Sequence, residues 1–176
     1  EIYMTPDKAD AYMNELCERG FISERVRKAM DGRRTAEFVA SISNDDIILR
    51  MTYADQTGRL WREQPFMKEY LSKELPNGII PDEFRLKGEG GSIADGSDDK
   101  HTTLIQGVID AFFVEDDDRA VIIDYKTDGM TLEDTEGLAK ELVKRHKAQF
   151  DYYTDAIESL LGVKVKKRYI CSLTIS

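Results

Sequence analysis

Two apolar segments separated by a short charged stretch constrain the fold of this chain more than any other feature. The segments Leu104–Val114 and Ala120–Tyr125 are rich in Ile, Val and Phe, which favours β-strands. Every residue of 115–119 is charged, which indicates a loop. The sequence therefore predicts an antiparallel hairpin, and a symmetric loop places Val114 opposite Ala120.

Each strand of this hairpin carries an aspartate among its apolar residues. The same register places Asp110 opposite Asp124, with side chains about 5 Å apart. Lys126 points to the same face as Asp124, because strand side chains alternate with period two. Two carboxylates this close repel each other and burial raises their pKa, whereas a divalent cation with oxygen ligands removes the repulsion. The alternative is a structural ion pair between Lys126 and Asp124, with Asp110 capping a strand.

A long helix is predicted downstream, from about Thr131 to the stop signal Gly162. Its apolar residues recur at three- and four-residue steps and define an inward stripe of Phe150, Tyr153, Ile157 and Leu161. Gln149 lies one turn before Tyr153 and shares its face. A buried glutamine needs partners, which a catalytic cluster or a nucleic-acid strand would supply. An ordinary glutamine at the boundary of the core is the alternative.

Four short strings, taken in order, resemble a known nuclease family. They are Glu63-Gln64-Pro65-Phe66, Gly107-x-x-Asp110, Asp124-x-Lys126 and Gln149-x-x-x-Tyr153. This order is similar to the RecB-type branch of the PD-(D/E)xK nucleases. It is closest to the C-terminal nuclease domains of the AddA type, found in the larger polypeptides of bacterial ATP-dependent helicase–nucleases that process double-strand breaks.

The resemblance implies a metal-dependent DNA exonuclease. It implies that Asp110, Asp124 and the main-chain carbonyl of Tyr125 hold Mg²⁺, for which Mn²⁺ substitutes, and that Lys126 positions the attacking water. The implied catalytic residues are Asp110, Asp124, Lys126, Gln149 and Tyr153, the last two also contacting DNA. The implied partners are DNA and the B subunit of the heterodimer, in the bacterial cytoplasm.

The chain departs from the family pattern at two places. The family carries an upstream histidine in a Gly-Thr-x-x-His motif, and nothing here matches it, so we expect the chain to start downstream of that motif. His101 and His146 are both expected at the surface or at its boundary with the core. With only Cys17 and Cys171, neither a four-cysteine iron–sulfur cluster nor a disulfide framework is expected, which favours the AddA type over the B subunit.

Charge and length are those expected of a piece of a larger intracellular enzyme. The 176 residues suffice for one domain, and no signal peptide or long apolar run predicts export or a membrane span. The net charge of −9 disfavours a free-standing DNA-binding protein, because phosphate contacts dominate nucleic-acid affinity. Lys140, Lys144 and Lys147 share one helical face and are predicted to steer DNA. A solvated surface is the alternative.

The predicted architecture is an α/β, restriction-endonuclease-like fold with a small mixed sheet flanked by helices. Residues 1–58 form a helical part and 59–176 the nuclease core of a single domain. The predicted helices of the first part are Pro6 to near Gly20, Arg25–Met30, Thr35–Ile42 and Asp45–Tyr53. The outer strands are Leu60–Met67 and Val163–Thr174, and Lys87–His101 has the composition of a loop.

No phosphate loop occurs in the sequence, so ATP is expected to be used only by a motor portion outside this chain. A non-catalytic module that docks on a helicase complex or holds DNA is the alternative function.

Overall fold

The computed structural model describes residues 3–76, 80, 81, 84, 102–126 and 135–172. The chain divides into two compact units, Glu1–Thr57 and Gly58–Ser176. Each unit is described by itself.

The first unit contains four helices whose starts are set by side-chain caps. They are α1 (Pro6–Glu18), α2 (Glu24–Ala29), α3 (Gly32–Ser43) and α4 (Asp46–Gln56). The residue before each helix accepts a hydrogen bond from a backbone N–H of the first turn, which satisfies a donor that the helix itself leaves unpaired. Helix α3 begins three residues before the predicted Thr35, because Asp31 accepts from the Arg34 N–H at 3.2 Å.

The second unit is an α/β structure built on a four-stranded mixed sheet, which confirms the predicted fold class. Its elements are β1 (Leu60–Leu71), a short 3₁₀ turn (Ser72–Glu74), β2 (Thr102–Val114), β3 (Arg119–Lys126), α5 (Thr135–Leu161) and β4 (Lys164–Ser172). The strand order is β1-β2-β3-β4, with the first two pairings antiparallel and β3–β4 parallel. A parallel pair needs a crossover, and α5 supplies it.

The core of this unit lies between the sheet and α5. Tyr152, Tyr153 and Ile157 of α5 are buried against apolar side chains of all four strands. Gly107 provides close packing here, because a Cβ at this position would lie 2.7 Å from the Phe84 ring and 2.8 Å from the Phe66 ring. The glycine of the Gly-x-x-Asp string is therefore required for the space that it leaves to two aromatic rings.

Strands β1 and β2 change the face that they present to the core at the same level. On β1, Trp61 packs on the core before Glu63, whereas Phe66 and Tyr70 do so after it, so the parity of the inward residues switches. Glu63 has a φ of 48°, unusual for a residue other than glycine, and it is left out of the pairing between the two strands. The residue opposite Glu63 in this register is Asp110.

The pairing of β2 with β3 confirms the predicted register and then stops. Val114 lies opposite Ala120, as predicted, and the last pair is Ala111 with Ile123. Beyond Ile123, β3 continues through Lys126 in contact with β4. The two central strands therefore separate at the level of Asp110.

Three predicted details differ from the structure or fall outside it. Strand β1 runs to Leu71 instead of Met67, because Tyr70 is buried in the core. Leu161 was predicted to face inward, which is wrong, since it is the last residue of α5 and its side chain is exposed. The segment Lys87–His101, predicted as a loop, lies outside the described residues.

Candidate active site

Asp124 lies where β3 leaves β2, and its side chain is only 1 % exposed. The Lys126 Nζ atom is 2.8 Å from Asp124 Oδ2 in an ion pair. Burial raises the pKa of Asp124, the nearby Asp110 carboxylate raises it further, and Lys126 and His146 lower it. Asp124 Oδ2 nevertheless has no hydrogen-bond partner among the described residues. A buried carboxylate oxygen in this state is a ready ligand.

Asp110 stands at the opening between the two central strands. Its Oδ2 atom accepts a hydrogen bond from the backbone N–H of Tyr125 at 2.7 Å. This N–H belongs to the part of β3 that has left the ladder with β2, so the side chain of Asp110 replaces a strand contact. The two carboxylates thus lie on either side of the same gap in the sheet.

A chain of three side-chain hydrogen bonds connects Lys126 to the other side of this gap. The Lys126 ammonium donates to Gln149 Oε1 at 3.1 Å, and Gln149 Nε2 donates to the Tyr153 hydroxyl at 2.8 Å. The Tyr153 hydroxyl in turn donates to the main-chain carbonyl of Val108 at 2.8 Å. The lysine is therefore oriented from two sides, by Asp124 and by the amide of a buried glutamine.

The carbonyl of Val108 needs this hydroxyl because of the strands beside it. Its partner on β1 is Pro65, which has no N–H to donate, and the β2–β3 ladder does not extend to Val108. Tyr153 satisfies an acceptor that the sheet leaves unpaired. The predicted shared face of Gln149 and Tyr153 is confirmed, and the hydrogen bond between them shows why both are buried.

The site fits a cation in its donors, although a finished metal cage is not formed. Within the described part of the chain, no three His, Cys, Asp or Glu side chains are grouped so that they could hold a metal ion. The unpartnered and buried Asp124 Oδ2, beside a second carboxylate, is nevertheless the hard oxygen donor that Mg²⁺ and Mn²⁺ take. The residues present therefore fit a divalent ion in chemistry.

His146 is the residue at this site that the sequence interpretation missed. It was expected at the surface or boundary, but its Nε2 atom is buried and has no hydrogen-bond partner in the described structure. A single histidine in a polar stretch of helix carries no sequence signal of burial. Its spacing of three residues from Gln149 is the one cue that could have placed it beside the site. His101 lies outside the described residues.

The predicted DNA-binding lysines are exposed, and acids neutralise much of the nearby basic charge. Lys147 pairs with Asp151 at 2.8 Å, while Lys140 and Lys144 also lie on the exposed surface of α5. On β4, Lys166 bonds to Asp117 at 2.8 Å, a contact that, with Arg119, lowers the pKa of Asp117 to about 2. These contacts reduce the positive charge that a phosphate backbone would meet.

Two further features bear on the expected classes of protein. Both cysteines, Cys17 and Cys171, are free thiols. No helix in the described ranges has the length and apolar character needed to cross a membrane.

Comparisons with known proteins agree with the motif order, although no family model matches the chain. Over 167 residues, or 95% of this chain, it is 29% identical to a Clostridium novyi protein named as the AddA-type polypeptide of an ATP-dependent helicase/nuclease. Proteins of the same name from Clostridium kluyveri and Thermoanaerobacter sp. are 30% and 35% identical over 93% and 62% of the chain. The chain spans only 11% of the C. novyi relative and 12% of the C. kluyveri relative. It is homologous to a segment of these AddA-type helicase/nuclease proteins, as its motifs predicted.

Proposed function

We propose that this chain is a metal-dependent nuclease domain that hydrolyses DNA phosphodiester bonds, acting as an exonuclease within an ATP-dependent helicase–nuclease. The observation that carries the proposal is the placement of Lys126. Its ammonium is held between the buried Asp124 carboxylate and the Gln149 amide, beside a second carboxylate. A structural ion pair alone would not require the buried glutamine, the tyrosine behind it and a carboxylate oxygen without a hydrogen bond.

Asp124 and Asp110, together with the main-chain carbonyl of Tyr125, would hold the ion. When bound, Mg²⁺ or Mn²⁺ supplies Lewis-acid stabilisation of the negative charge that develops on the phosphate. Asp110 already bonds to the Tyr125 N–H, so it fixes the backbone that also carries the proposed carbonyl ligand. The opening between β2 and β3 gives this part of the sheet room for an ion.

Lys126 orients the attacking water and stabilises charge in the transition state. When Asp124 turns to the ion, Gln149 Oε1 remains as an acceptor for the ammonium, so the lysine keeps its position. Tyr153 holds Gln149 in the orientation that presents its oxygen to Lys126, because the amide nitrogen is engaged by the hydroxyl. The pair therefore supports the lysine, and its remaining exposed edge would contact DNA.

The cellular setting is proposed from what the relatives' names say. Those proteins are named as parts of a helicase/nuclease, so we propose that the whole polypeptide acts on DNA with a B subunit in the bacterial cytoplasm. ATP would be used by the motor portion of the whole polypeptide. The nuclease reaction itself needs only the metal and water.

Thermal unfolding with metal is the direct test of the site. A ligand that binds only the folded state stabilises it, so millimolar Mg²⁺ or Mn²⁺ should raise the midpoint of the 176-residue chain. Asp124→Ala should abolish the rise, and Lys164→Ala, which removes an exposed lysine paired with Glu158, should leave it intact. The same three proteins are then assayed on single-stranded DNA. An unchanged midpoint and no cleavage in the unsubstituted chain would reject the proposal.

The second candidate is a non-catalytic module that docks on a helicase or holds DNA. It is favoured by the lack, among the described residues, of three side chains grouped for a metal, and by the ammonium that already neutralises Asp124. Under this candidate the chain binds DNA equally well with and without metal, and Asp124→Ala changes neither DNA binding nor the metal-dependent midpoint.

A further inference from the structure

Three buried side-chain atoms have no hydrogen-bond partner in the part of the chain that the structure describes, and two of them bear on the candidate active site. These two are Asp124 Oδ2 and His146 Nε2, and the third is the hydroxyl oxygen of Thr154, further along α5. Buried polar atoms are almost always satisfied by protein or by water, so the unsatisfied pair at the site calls for an explanation such as an ion or an ordered water.

The helix geometry brings the two atoms to the same end of the cluster. His146 is three residues before Gln149 on α5, and residues at this spacing are neighbours on one helical face. Gln149 bonds to Lys126, and Lys126 pairs with Asp124. The imidazole is also close enough to Asp124 to favour the ionised carboxylate electrostatically. The histidine therefore faces the region in which the carboxylate oxygen lacks a partner.

A single divalent ion would satisfy both atoms, because a carboxylate oxygen and a neutral imidazole nitrogen are both metal ligands. The two donors differ in which ion they favour. Mg²⁺ takes oxygen ligands almost exclusively, whereas first-row transition ions also accept imidazole. A site with this nitrogen should discriminate between Mg²⁺ and Mn²⁺ more strongly than one made of oxygen alone.

We propose that His146 Nε2 is a ligand of the divalent ion held by Asp124, and that this nitrogen makes the site prefer Mn²⁺ to Mg²⁺. The proposal rests on the proposed function, since it concerns the same ion. Binding requires the Lys126 ammonium to leave Asp124 Oδ2, and Gln149 Oε1 is the acceptor that remains for it. His146 and Asp124 then coordinate from α5 and β3, which ties the helix to the strand.

Pulsed EPR of bound Mn²⁺ tests this directly, because it detects a coordinated imidazole nitrogen without any need for activity. The chain has only two histidines, which supply a matched pair of variants, His146→Gln and His101→Gln. Mn²⁺ and Mg²⁺ affinities are measured by titration on the same samples, and circular dichroism checks that each variant is folded. Asp124→Ala is the control for the site itself.

We expect a nitrogen coupling in the unsubstituted chain and in His101→Gln, and none in His146→Gln. His146→Gln should weaken Mn²⁺ binding by about tenfold or more, since even residues that only orient a ligand cost this much, and should change Mg²⁺ binding far less. Unchanged Mn²⁺ affinity or a retained coupling in His146→Gln, with binding lost in Asp124→Ala, would overturn the role of His146 alone. Binding that survives Asp124→Ala would instead overturn the proposed site.

Discussion

Lys126 touches two neighbours of different charge, and this decides what its removal should do. An ammonium is not a metal ligand, so Lys126→Ala should leave the metal-dependent rise in the unfolding midpoint nearly intact. Cleavage of single-stranded DNA should fall by on the order of a hundredfold or more, because the lysine stabilises charge in the transition state. Lys164→Ala serves as the control on the same assay. Full activity of Lys126→Ala would return this residue to a structural ion pair.

Asp124 is predicted to make the metal-free protein less stable as pH rises. Burial raises the pKa of Asp124 in the folded state, so over the interval between its ordinary and its raised pKa the folded protein binds more protons than the unfolded one. Stability therefore falls as pH increases through that interval. Asp124→Asn should be more stable than the parent at neutral pH without metal, and the difference should vanish in acid. Urea unfolding across pH measures this, and parallel profiles for the two proteins would contradict it.

At this scale the sequence predicted the residues with a periodic or motif signal and missed those without one. Asp110, Asp124 and Lys126 could be placed because strand alternation and one hairpin register determine where they point. His146 could not, since its burial depends on how closely α5 approaches the end of β3. That distance is a property of the packed core and leaves no trace in the local sequence.

Among the elements, β1 and α5 are joined by a polar contact that should contribute measurably to stability. The Asp155 carboxylate accepts from the Tyr70 hydroxyl at 2.5 Å and from Lys68 Nζ at 2.6 Å. Asp155→Ala would leave the hydroxyl of the buried Tyr70 without this acceptor, at a cost of about 1–3 kcal/mol in the free energy of unfolding. Urea unfolding measures the change.

The matched control is Glu37→Ala, which breaks the exposed pair of Arg33 with Glu37. Surface substitutions of this kind usually change stability by less than about 0.5 kcal/mol. Equal losses in both variants would show that the contact between β1 and α5 contributes no more than a surface ion pair.

The same contact explains why the end of β1 was predicted too early. Lys68 and Glu69 interrupt the apolar alternation after Met67, which is a sequence signal for the end of a strand. Lys68 remains in the strand because its ammonium has a carboxylate on α5, a partner far away in sequence. The hairpin of β2 and β3 was easier to predict, since its pairing is local and its loop is fully charged.

For the whole molecule, the distribution of charge predicts weak binding of DNA. The net charge is −9, and bonds from Lys147 and Lys166 to nearby acids reduce the local positive potential. We expect the 176-residue chain to capture single-stranded DNA poorly at physiological salt and to cleave it slowly, faster with Mn²⁺ than with Mg²⁺. Fluorescence anisotropy and a cleavage assay at two salt concentrations measure both quantities.

Low salt should improve binding more than turnover, because it favours encounter without changing the ligands of the ion. Joining the chain to the remaining parts of a relative's helicase/nuclease polypeptide should raise turnover further than any single substitution here. Fast cleavage by the 176 residues with Mg²⁺ at physiological salt would contradict this prediction.

The contacts that orient Lys126 all come from one continuous stretch of the chain, from Val108 on β2 to Tyr153 on α5. During synthesis, this stretch is complete before β4 emerges from the ribosome, and no residue of the first unit takes part in these bonds. A protease that cuts between Thr57 and Gly58 would therefore sever no bond that holds the lysine. The order of the sequence makes the catalytic geometry a local product of folding, assembled from neighbours along the polypeptide.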